Sequence, residues 1–451
     1  MVVKSKNITV VGLSRTGIAL VKYLHKSGAN IFISESKPYE EILDVLKQIK
    51  DIPVKVEAGG HTDLVFKDKD LVLLSPGVDI NDPVFARAAR FVEVLSEIEF
   101  AYRQSASKII GVTGTNGKST TTKLTYELLK KAGFDTAVGG NIGNPLIGEV
   151  EAVKNGGFLV SEVSTFQLEG IKDFKPFISF ILNITPDHID RHKSMGSYIR
   201  LKSRIFENQD EGDYLILNYD DPNCRELALH AKSRVYFFSR TQKLSEGAYL
   251  DGDKIYFKEE SLPAVEVIKT EDIPVKGVHN IENVLAVSCV LKILNIDKNI
   301  FKKGLKDFKP LRHRMEFVRE IKGVKFYDDS KGTNPACVMA ALNSFSEPVI
   351  LIAGGRPKET DFLPMAELIA EKVKYLVLIG EAKDLLEEKV MRFRKIPVYK
   401  TDNFEEALRH AHKISSKGDV VLLSPACTSF DMFKNAEERG DRFQEIVNNL
   451  E

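Results

Sequence analysis

The sequence predicts an α/β protein built from three consecutive domains, and three observations carry that prediction. The chain of 451 residues is too long for one hydrophobic core. Glycine-rich turns repeatedly follow buried-strand patterns, and a Gly117-Lys118-Ser119-Thr120 run opens an amphipathic helix. The expected architecture is a Rossmann-like amino-terminal domain over residues 1–103, a central P-loop ATPase-like domain over 104–309 and a Rossmann-like carboxyl-terminal domain over 310–451.

In the first domain, Asn7-Ile8-Thr9-Val10-Val11 reads as a buried strand. It ends in Gly12-Leu13-Ser14-Arg15-Thr16-Gly17 and leads into a helix with Ile18, Leu20, Val21 and Leu24 inward. This is the opening of a Rossmann-like βαβ unit whose fingerprint has Ser14 in place of its middle glycine. A second strand, Ile31-Phe32-Ile33, ends at Glu35 and Ser36, where such folds hold a ribose hydroxyl. A third, at 71–74, runs into Ser75-Pro76-Gly77. A degenerate fingerprint leaves three readings open: a structural turn, a dinucleotide site or a site for a nucleotide-diphosphate-linked substrate.

The central domain opens on Gly111-Val112-Thr113-Gly114-Thr115-Asn116-Gly117-Lys118-Ser119-Thr120, between the strand Lys108-Ile109-Ile110 and a helix carrying Leu124, Leu128 and Leu129. Its three glycines are expected to turn with positive φ and let backbone N–H groups converge on an anion. Lys118 would reach the outer phosphates and Ser119 would ligand Mg²⁺. Gly111 lies one residue further from Gly117 than the usual spacing allows. Next come the glycine-dense loop 139–145, which contains Asn141, and a strand ending in Glu162. An acid closing a hydrophobic strand in a phosphate-loop protein reads as a Mg²⁺ holder, with a helix-capping glutamate as the alternative. A further strand, 177–182, delivers Asn183-Ile184-Thr185-Pro186-Asp187-His188-Ile189-Asp190. His188 is equally a metal ligand, an anion contact or a satisfied loop histidine on spacing alone. The basic helical segment 198–206, with Lys202 in it, reads by itself as a solvated face. A strand-rich stretch, 214–275, precedes a helix running through Leu294, whose Asn280 and Asn283 can cap it or bind a base.

The third domain follows a linker at Phe308-Lys309-Pro310. Arg312, His313 and Arg314 form a basic cluster suited to phosphate or to an interdomain salt bridge. Strands at 324–327, 349–353, 375–379 and 420–423 deliver polar loops at 328–335, 354–361, 380–381 and 424–430. In a doubly wound sheet such loops collect on one edge.

Composition narrows the class. Lys plus Arg and Asp plus Glu each number 64, so bulk charge gives no footprint for nucleic acid or an acidic membrane. Cys224, Cys289, Cys337 and Cys427 are scattered with no C-x-x-C pair, which argues against a zinc site or a secreted disulfide framework. No apolar run approaches a membrane span, and the first residues enter a strand rather than a signal peptide. A soluble cytoplasmic protein is expected.

The phosphate loop, the strand-end Glu162, the Asp187-His188-Ile189-Asp190 loop and a third α/β domain together resemble the Mur ligase family, ATP-dependent enzymes that add amino acids to the peptidoglycan precursor. Leu74-Ser75-Pro76-Gly77 and the segments 329–334, 354–361 and 423–433 are similar to the D-glutamate-adding branch. The resemblance covers the whole chain. It implies UDP-N-acetylmuramoyl-L-alanine and D-glutamate as substrates, ATP and two Mg²⁺ ions as cofactors, no nucleic-acid or membrane partner, and a monomer. It places the uridine end on Ser14, Arg15, Thr16, Glu35, Ser36 and Gly77, and the substrate pyrophosphate near Asn141. ATP would lie on Gly114, Thr115, Asn116, Gly117, Lys118, Ser119 and Thr120, with Asn280 and Asn283 toward the base and Arg314, Asp329 and Lys331 closing from the third domain. Lys118, Glu162, His188 and Lys202 would be catalytic, with Ser119, Glu162, His188 and Lys202 holding metal and Lys202 carbamylated. D-Glutamate would go to Thr333, Lys358, Ser429 and Phe430. One departure is Ala436, where an aromatic residue is frequent, which leaves that wall of the glutamate pocket open. Domain closure is expected to hinge near 308–312. A sister ligase, a folate polyglutamate ligase, an ATP-driven switch and a dinucleotide oxidoreductase are the competing classes.

Overall fold

The computed structural model describes residues 1–187, 189–274, 277–309, 311–358 and 360–451. The first sheet holds β1 (Asn7–Val11), β2 (Asn30–Glu35), β3 (Val54–Ala58), β4 (Leu71–Leu74) and β5 (Glu93–Ser96), all parallel, in the order β3-β2-β1-β4-β5. Ile8, Val10, Val72 and Leu73 have no exposed surface, as expected of strands covered on both faces. Leu20, Val21 and Leu24 of the helix Arg15–Lys26 are buried, as the spacing predicts, while Ile18 is half-buried. Gly17 has to be glycine: a Cβ there would lie 2.1 Å from the carbonyl oxygen of Gly12, so its absence lets the helix start against the turn.

The second sheet holds β6 (Lys108–Thr113), β7 (Thr136–Gly140), β8 (Phe158–Glu162), β9 (Ile178–Ile181), β10 (Tyr214–Asn218), β11 (Arg234–Ser239), β12 (Gly247–Asp251), β13 (Lys254–Lys258) and β14 (Val265–Lys269). Their order is β14-β13-β12-β11-β10-β9-β6-β8-β7. The strands are parallel except for the antiparallel β12-β13-β14 meander. The strand-rich stretch 214–275 is therefore five strands, three of them linked as that meander. β6 lies between β8 and β9, so the loops after all three strands share one sheet edge.

The third sheet holds β15 (Glu316–Ile321), β16 (Val324–Asp328), β17 (Val349–Gly354), β18 (Val373–Ile379), β19 (Val398–Thr401) and β20 (Val420–Ala426), ordered β15-β16-β20-β17-β18-β19. Apolar clusters fill both faces, one around Leu351, Leu376 and Leu422 and the other around Ile350, Val377, Val421 and Phe443. β20 sits between β16 and β17, which makes the loops after those three strands neighbours.

By compactness the chain separates into two units. Met1–Ile184, Gly196–Asp272 and Asn283–Lys306 form the first, and Thr185–Met195, Ile273–Glu282 and Asp307–Glu451 the second. The first two sheets thus share a unit. The unit of the third sheet also takes the 185–195 loop and the first residues of the helix Val278–Ile293. Among the described residues no helix is long and apolar enough to cross a membrane.

Candidate active site

In the first unit the 114–117 loop joins β6 to the helix Lys118–Lys131. Gly114 and Gly117 have φ of +149° and +83°, conformations that L side chains rarely adopt. Gly111 departs from the expectation: it lies inside β6, without positive φ, and its missing Cβ leaves room for Pro176 and Ile205. The turn therefore uses two glycines, which accounts for the unusual spacing. It is braced from the end of β9, where Asn183 accepts from the amides of Thr115 (2.9 Å) and Asn116 (2.8 Å) and its own amide donates to the Asn116 carbonyl.

Lys118 Nζ donates to the carbonyls of Gly114 and Thr115 at 3.0 and 2.7 Å, which parks its ammonium on the loop. Glu162, 2% exposed at the end of β8, accepts from the Ser119 hydroxyl at 2.6 Å and from the Asn141 amide at 2.7 Å. Lys202 is not on a solvated face, contrary to the reading of its segment alone. Only 2% exposed in the helix Met195–Ser203, it donates to the Gly114 carbonyl at 2.7 Å and lies over the Tyr198 ring. Tyr198 was not singled out from sequence, yet its hydroxyl is 3.3 Å from Thr115 Oγ1. The i, i+4 spacing of Tyr198 and Lys202 was the available signal. Asn283 accepts from the Thr121 hydroxyl, and a Cβ on Gly117 would meet Asn283 Oδ1 at 2.4 Å, so this asparagine packs on the loop itself. Thr120 is half-buried in the first helical turn.

At the carboxyl edge of the first sheet, Ser14, Arg15, Ser36 and Gly77 are exposed and Thr16 is half-buried. Glu35 is buried and accepts from the Leu13 amide at 2.6 Å, the Ser36 hydroxyl and the Lys37 amide. Burial works to raise its pKa, but these bonds and the Lys37 charge hold it below the ordinary value. Glu35 thus clamps the glycine turn. Arg15 reaches from this edge to the Asn141 carbonyl at 3.2 Å.

His188 lies outside the described residues. The second unit brings Arg314, Asp329, Lys331, Thr333, Lys358, Ser429 and Phe430 onto the loops after β16, β17 and β20 and the segment before β15. Those loops are tied together: Arg356 and Thr428 exchange backbone bonds, Ala426 donates to the Gly332 carbonyl, and the Ser424 hydroxyl donates to Asp329 at 2.8 Å. Burial pushes the Asp329 carboxyl up to about 7, against the pull of the Arg314 charge and the Ser424 and Met315 donors. Lys331 pairs with Glu437 at 3.2 Å, and Lys358 with Asp187 at 3.5 Å. Ser429 is buried, whereas Phe430 is 62% exposed. Ala436 opens the helix Ala436–Asn448, and its carbonyl accepts from the Ser330 hydroxyl. Asn280 is buried at the start of its helix, and the neighbouring His279 is pushed down to about 4 by burial and the Arg314 charge.

Arg439 is a buried residue beneath these loops that the sequence reading missed. Its guanidinium, 1% exposed, donates to the hydroxyl and carbonyl of Ser330 and to the Cys427 carbonyl, joining the 328–332 and 426–430 loops. The signal was its place on one helical stripe with Phe443 and Ile446, where a charge has no solvent. Among the described residues one group has the proximity of metal ligands: His313, Glu316 and Asp328, with atoms within 4.8 Å of one another. The Gln444 amide donates to Glu316 and Asp328, both at 2.8 Å, so a neutral donor already serves these carboxylates.

Sequence comparison matches three domain families: the Mur ligase MurD-like N-terminal domain over 6–96, the Mur ligase middle domain over 112–291 and the Mur ligase glutamate ligase domain over 313–427. A relative from Caldanaerobacter subterraneus, named UDP-N-acetylmuramoylalanine--D-glutamate ligase, is 42% identical over 454 residues, covering 100% of both chains. One of the same name from Geotalea daltonii is 43% identical, covering 100% of this chain and 99% of its own. Among solved structures, MurC from Thermotoga maritima aligns with TM-score 0.62 at 18% identity over 98% of this chain and 99% of its own. The MurF ligase of the same organism, solved with ADP, aligns with TM-score 0.61 at 18% identity, over 99% and 96%. These two likenesses speak for the fold. With all three domain families matched in order and full-length relatives above 40% identity, the chain belongs to the Mur ligase family, on its MurD-like branch.

Proposed function

We propose that this chain is an ATP-dependent, ADP-forming amide ligase that joins D-glutamate to UDP-N-acetylmuramoyl-L-alanine in cytoplasmic peptidoglycan precursor synthesis. The observation that carries the reading is the set of groups around the 114–117 loop: Lys118 and Lys202 on the Gly114 carbonyl, and Ser119, at the start of the following helix, paired with Glu162. In the proposed reaction the L-alanine carboxylate attacks the γ-phosphorus of ATP, releasing ADP and giving an acyl phosphate. The D-glutamate amine then attacks the acyl carbon, phosphate leaves, and the amine loses a proton.

Both partners in the first step are anionic, so the protein's task is to hold them together and offset their charge. The loop amides at the helix start and the Lys118 ammonium take the phosphates. Lys118 leaves the Gly114 and Thr115 carbonyls to do so. Ser119 Oγ and the Glu162 carboxylate are hard oxygen donors 2.6 Å apart, a pair that fits Mg²⁺. A Mg²⁺ held by Ser119 and Glu162 would supply positive charge to offset that of the reacting phosphate. Lys202 fits such a centre only as a carbamate: its neutral amine adds CO₂ and releases a proton, turning a buried cation into a carboxylate. His188 is proposed for the same centre. Arg314, Asp329, Lys331, Asn280 and Asn283 are assigned to the nucleotide. Thr333, Lys358, Ser429 and Phe430 are assigned to D-glutamate, with Lys358 exchanging Asp187 for a substrate carboxylate. The sheet edge of Ser14, Arg15, Thr16, Ser36 and Gly77 takes the uridine end, with Glu35 shaping it from within.

Phosphate release from ATP and Mg²⁺ with UDP-N-acetylmuramoyl-L-alanine tests this reading, comparing D-glutamate with L-glutamate, L-lysine and meso-diaminopimelate. Release that depends on D-glutamate is expected. Dependence on another amino acid would move the chain to a sister activity, and ATP hydrolysis indifferent to all of them would remove the ligase reading.

A further inference from the structure

Arg314 stands in a strained turn, and two of the residues that hold this turn have no part in the reaction as described. Its neighbours on either side, His313 and Met315, have φ of +62° and +47°, in the left-handed region. A histidine or a methionine stays there only where its surroundings over-determine it. Several contacts do so here. The His313 amide donates to Glu316 Oε2 at 2.8 Å, and the Met315 amide to Asp329 Oδ1 at 3.3 Å. The His313 carbonyl accepts from the Lys331 amide at 3.1 Å, and its Nδ1 contacts Asp328 Oδ2 at 2.7 Å. All of these residues belong to the second unit. The half-buried Arg314 makes no ion pair among the described residues, its Nη1 lying 4.0 Å from Cys337 Sγ. A guanidinium on a fixed backbone, left without a carboxylate, suits an anionic ligand.

Glu316 does not hold the turn unaided. It opens β15 directly opposite Asp328 of β16, so two carboxylates face each other across the strand pair, an arrangement that repels. Gln444 relieves it. Its amide nitrogen donates to Glu316 Oε2 and to Asp328 Oδ2, both at 2.8 Å. The helix Ala436–Asn448 carries Gly440 one turn before Gln444, and a Cβ on that glycine would stand 2.1 Å from His313 Nδ1. One face of the helix thus leaves room for the imidazole and supplies the amide that joins the carboxylates. We propose that Glu316, with Gln444 behind it, is a positioning residue for the nucleotide: it holds the 313–315 turn in the conformation that offers the Arg314 guanidinium to phosphate oxygens. The inference rests on the assignment of Arg314 to the nucleotide in the function proposed above.

Glu316 acts through His313 and Arg314, not on the nucleotide itself. Without its acceptor the buried His313 amide loses its partner and nothing opposes the strain at that residue, so the turn relaxes and carries Arg314 with it. Apparent affinity for the nucleotide then falls in proportion to the fraction of chains that keep the competent turn. Lys331, also assigned to the nucleotide, is tied to the same turn through its amide. Lys358 and Ser429, assigned to D-glutamate, bond elsewhere, Lys358 to Asp187 and Ser429 through its carbonyl to the Met432 and Phe433 amides. The effect should therefore fall on ATP and spare the other two substrates.

The experiment is steady-state phosphate release by the full-length protein with Mg²⁺, varying ATP, D-glutamate and UDP-N-acetylmuramoyl-L-alanine in turn. Glu316→Ala should raise KM for ATP about tenfold and leave the other two KM values within about twofold. Glu316→Gln keeps an oxygen that can accept from both the His313 and the Gln444 amides, and should bring KM for ATP back to within about twofold of wild type. Gln444→Ala leaves the Glu316 acceptor in place and should raise KM for ATP less, about threefold. If Glu316→Ala does not fold, Gln444→Ala decides the matter. No rise in KM for ATP overturns the inference, and so does a Glu316→Gln protein no better than Glu316→Ala. A joint rise in all three KM values would show a role in the fold alone and overturn it as well. Wild type that releases no phosphate in the presence of D-glutamate would instead overturn the proposed function, and this inference with it.

Discussion

Asp329 shows how much a single buried carboxyl decides. With 4% of its surface exposed and a pKa raised by burial to about 7 from an ordinary 3.8, it stays protonated in the fold up to near neutral pH. Because the folded pKa is raised, the folded chain binds a proton that the unfolded chain has released between about pH 4 and 7. Its contribution to stability is therefore largest at low pH and falls as pH rises through that window. Asp329→Asn removes this penalty but supplies one acceptor oxygen where Ser424 and Met315 use two. The penalty, about 4 kcal/mol at ~1.4 per unit, exceeds the cost of one lost acceptor, ~1–2 kcal/mol, so the variant should melt higher than wild type at pH 8. At pH 4 the order should reverse. Melting curves at the two pH values check both signs, and equal midpoints at pH 8 would show that folding does not raise the carboxyl's pKa. Nucleotide affinity should fall in the same variant. None of this is visible in the sequence, where Asp328 and Asp329 stand side by side in one polar loop. The difference is environmental: Asp328 faces His313 and the Gln444 amide, and Asp329 faces the Ser424 hydroxyl and the Met315 amide.

At the scale of an element, two helical glycines separate propensity from packing. Gly304 lies in the helix Lys298–Lys306, where a Cβ would meet nothing closer than Lys131 Cγ at 3.7 Å. Gly304→Ala should stabilise by about 0.5–1 kcal/mol through helix propensity alone. Gly440, in the helix Ala436–Asn448, is the opposite case. A Cβ there would stand 2.1 Å from His313 Nδ1, the atom that contacts Asp328 at 2.7 Å. Gly440→Ala should cost roughly 2–4 kcal/mol, since the helix must move or the His313–Asp328 contact must break. Thermal melting of the pair should give shifts of opposite sign; a neutral Gly440→Ala would mean that His313 yields freely. The helix periodicity of both segments is local and readable, whereas what faces each glycine comes from about 130 residues away in the second case.

For the whole molecule, the functions proposed for Lys331 and for the 14–16 edge fall in different compact units, and variants can separate them. Lys331 belongs to the unit of the third sheet, and the edge with Ser14, Arg15 and Thr16 to the unit of the first two. Lys331→Ala should abolish turnover while uridine-substrate affinity stays within about twofold, because Lys331 and the residues of that edge belong to different units and share no hydrogen-bond or ion-pair partner among the contacts described. Calorimetry beside the phosphate-release assay measures both quantities. Joint loss would place Lys331 at the uridine substrate and overturn its assignment to the nucleotide.

By itself the sequence determined the α/β class, the phosphate loop with its Lys118 and Ser119, the acid at the end of β8 and the loops that end the third sheet's strands. Each is written in a short stretch, because strand alternation, helix periodicity and glycine-permitted turns are properties of neighbouring residues. The resemblance carried by those loops led to the family, which the domain matches and full-length relatives then established. Tertiary structure alone decided the environments. Lys202 is buried against Gly114, 88 residues away, and Arg439 is buried on Ser330, 109 residues away. Glu97 reaches Ile147 across 50 residues, with one oxygen left without a hydrogen-bond partner among the described residues. Burial and the partners that oppose it are sums over atoms distant in the chain, and it is those sums, not the residue type, that set the charge a carboxyl or an ammonium carries.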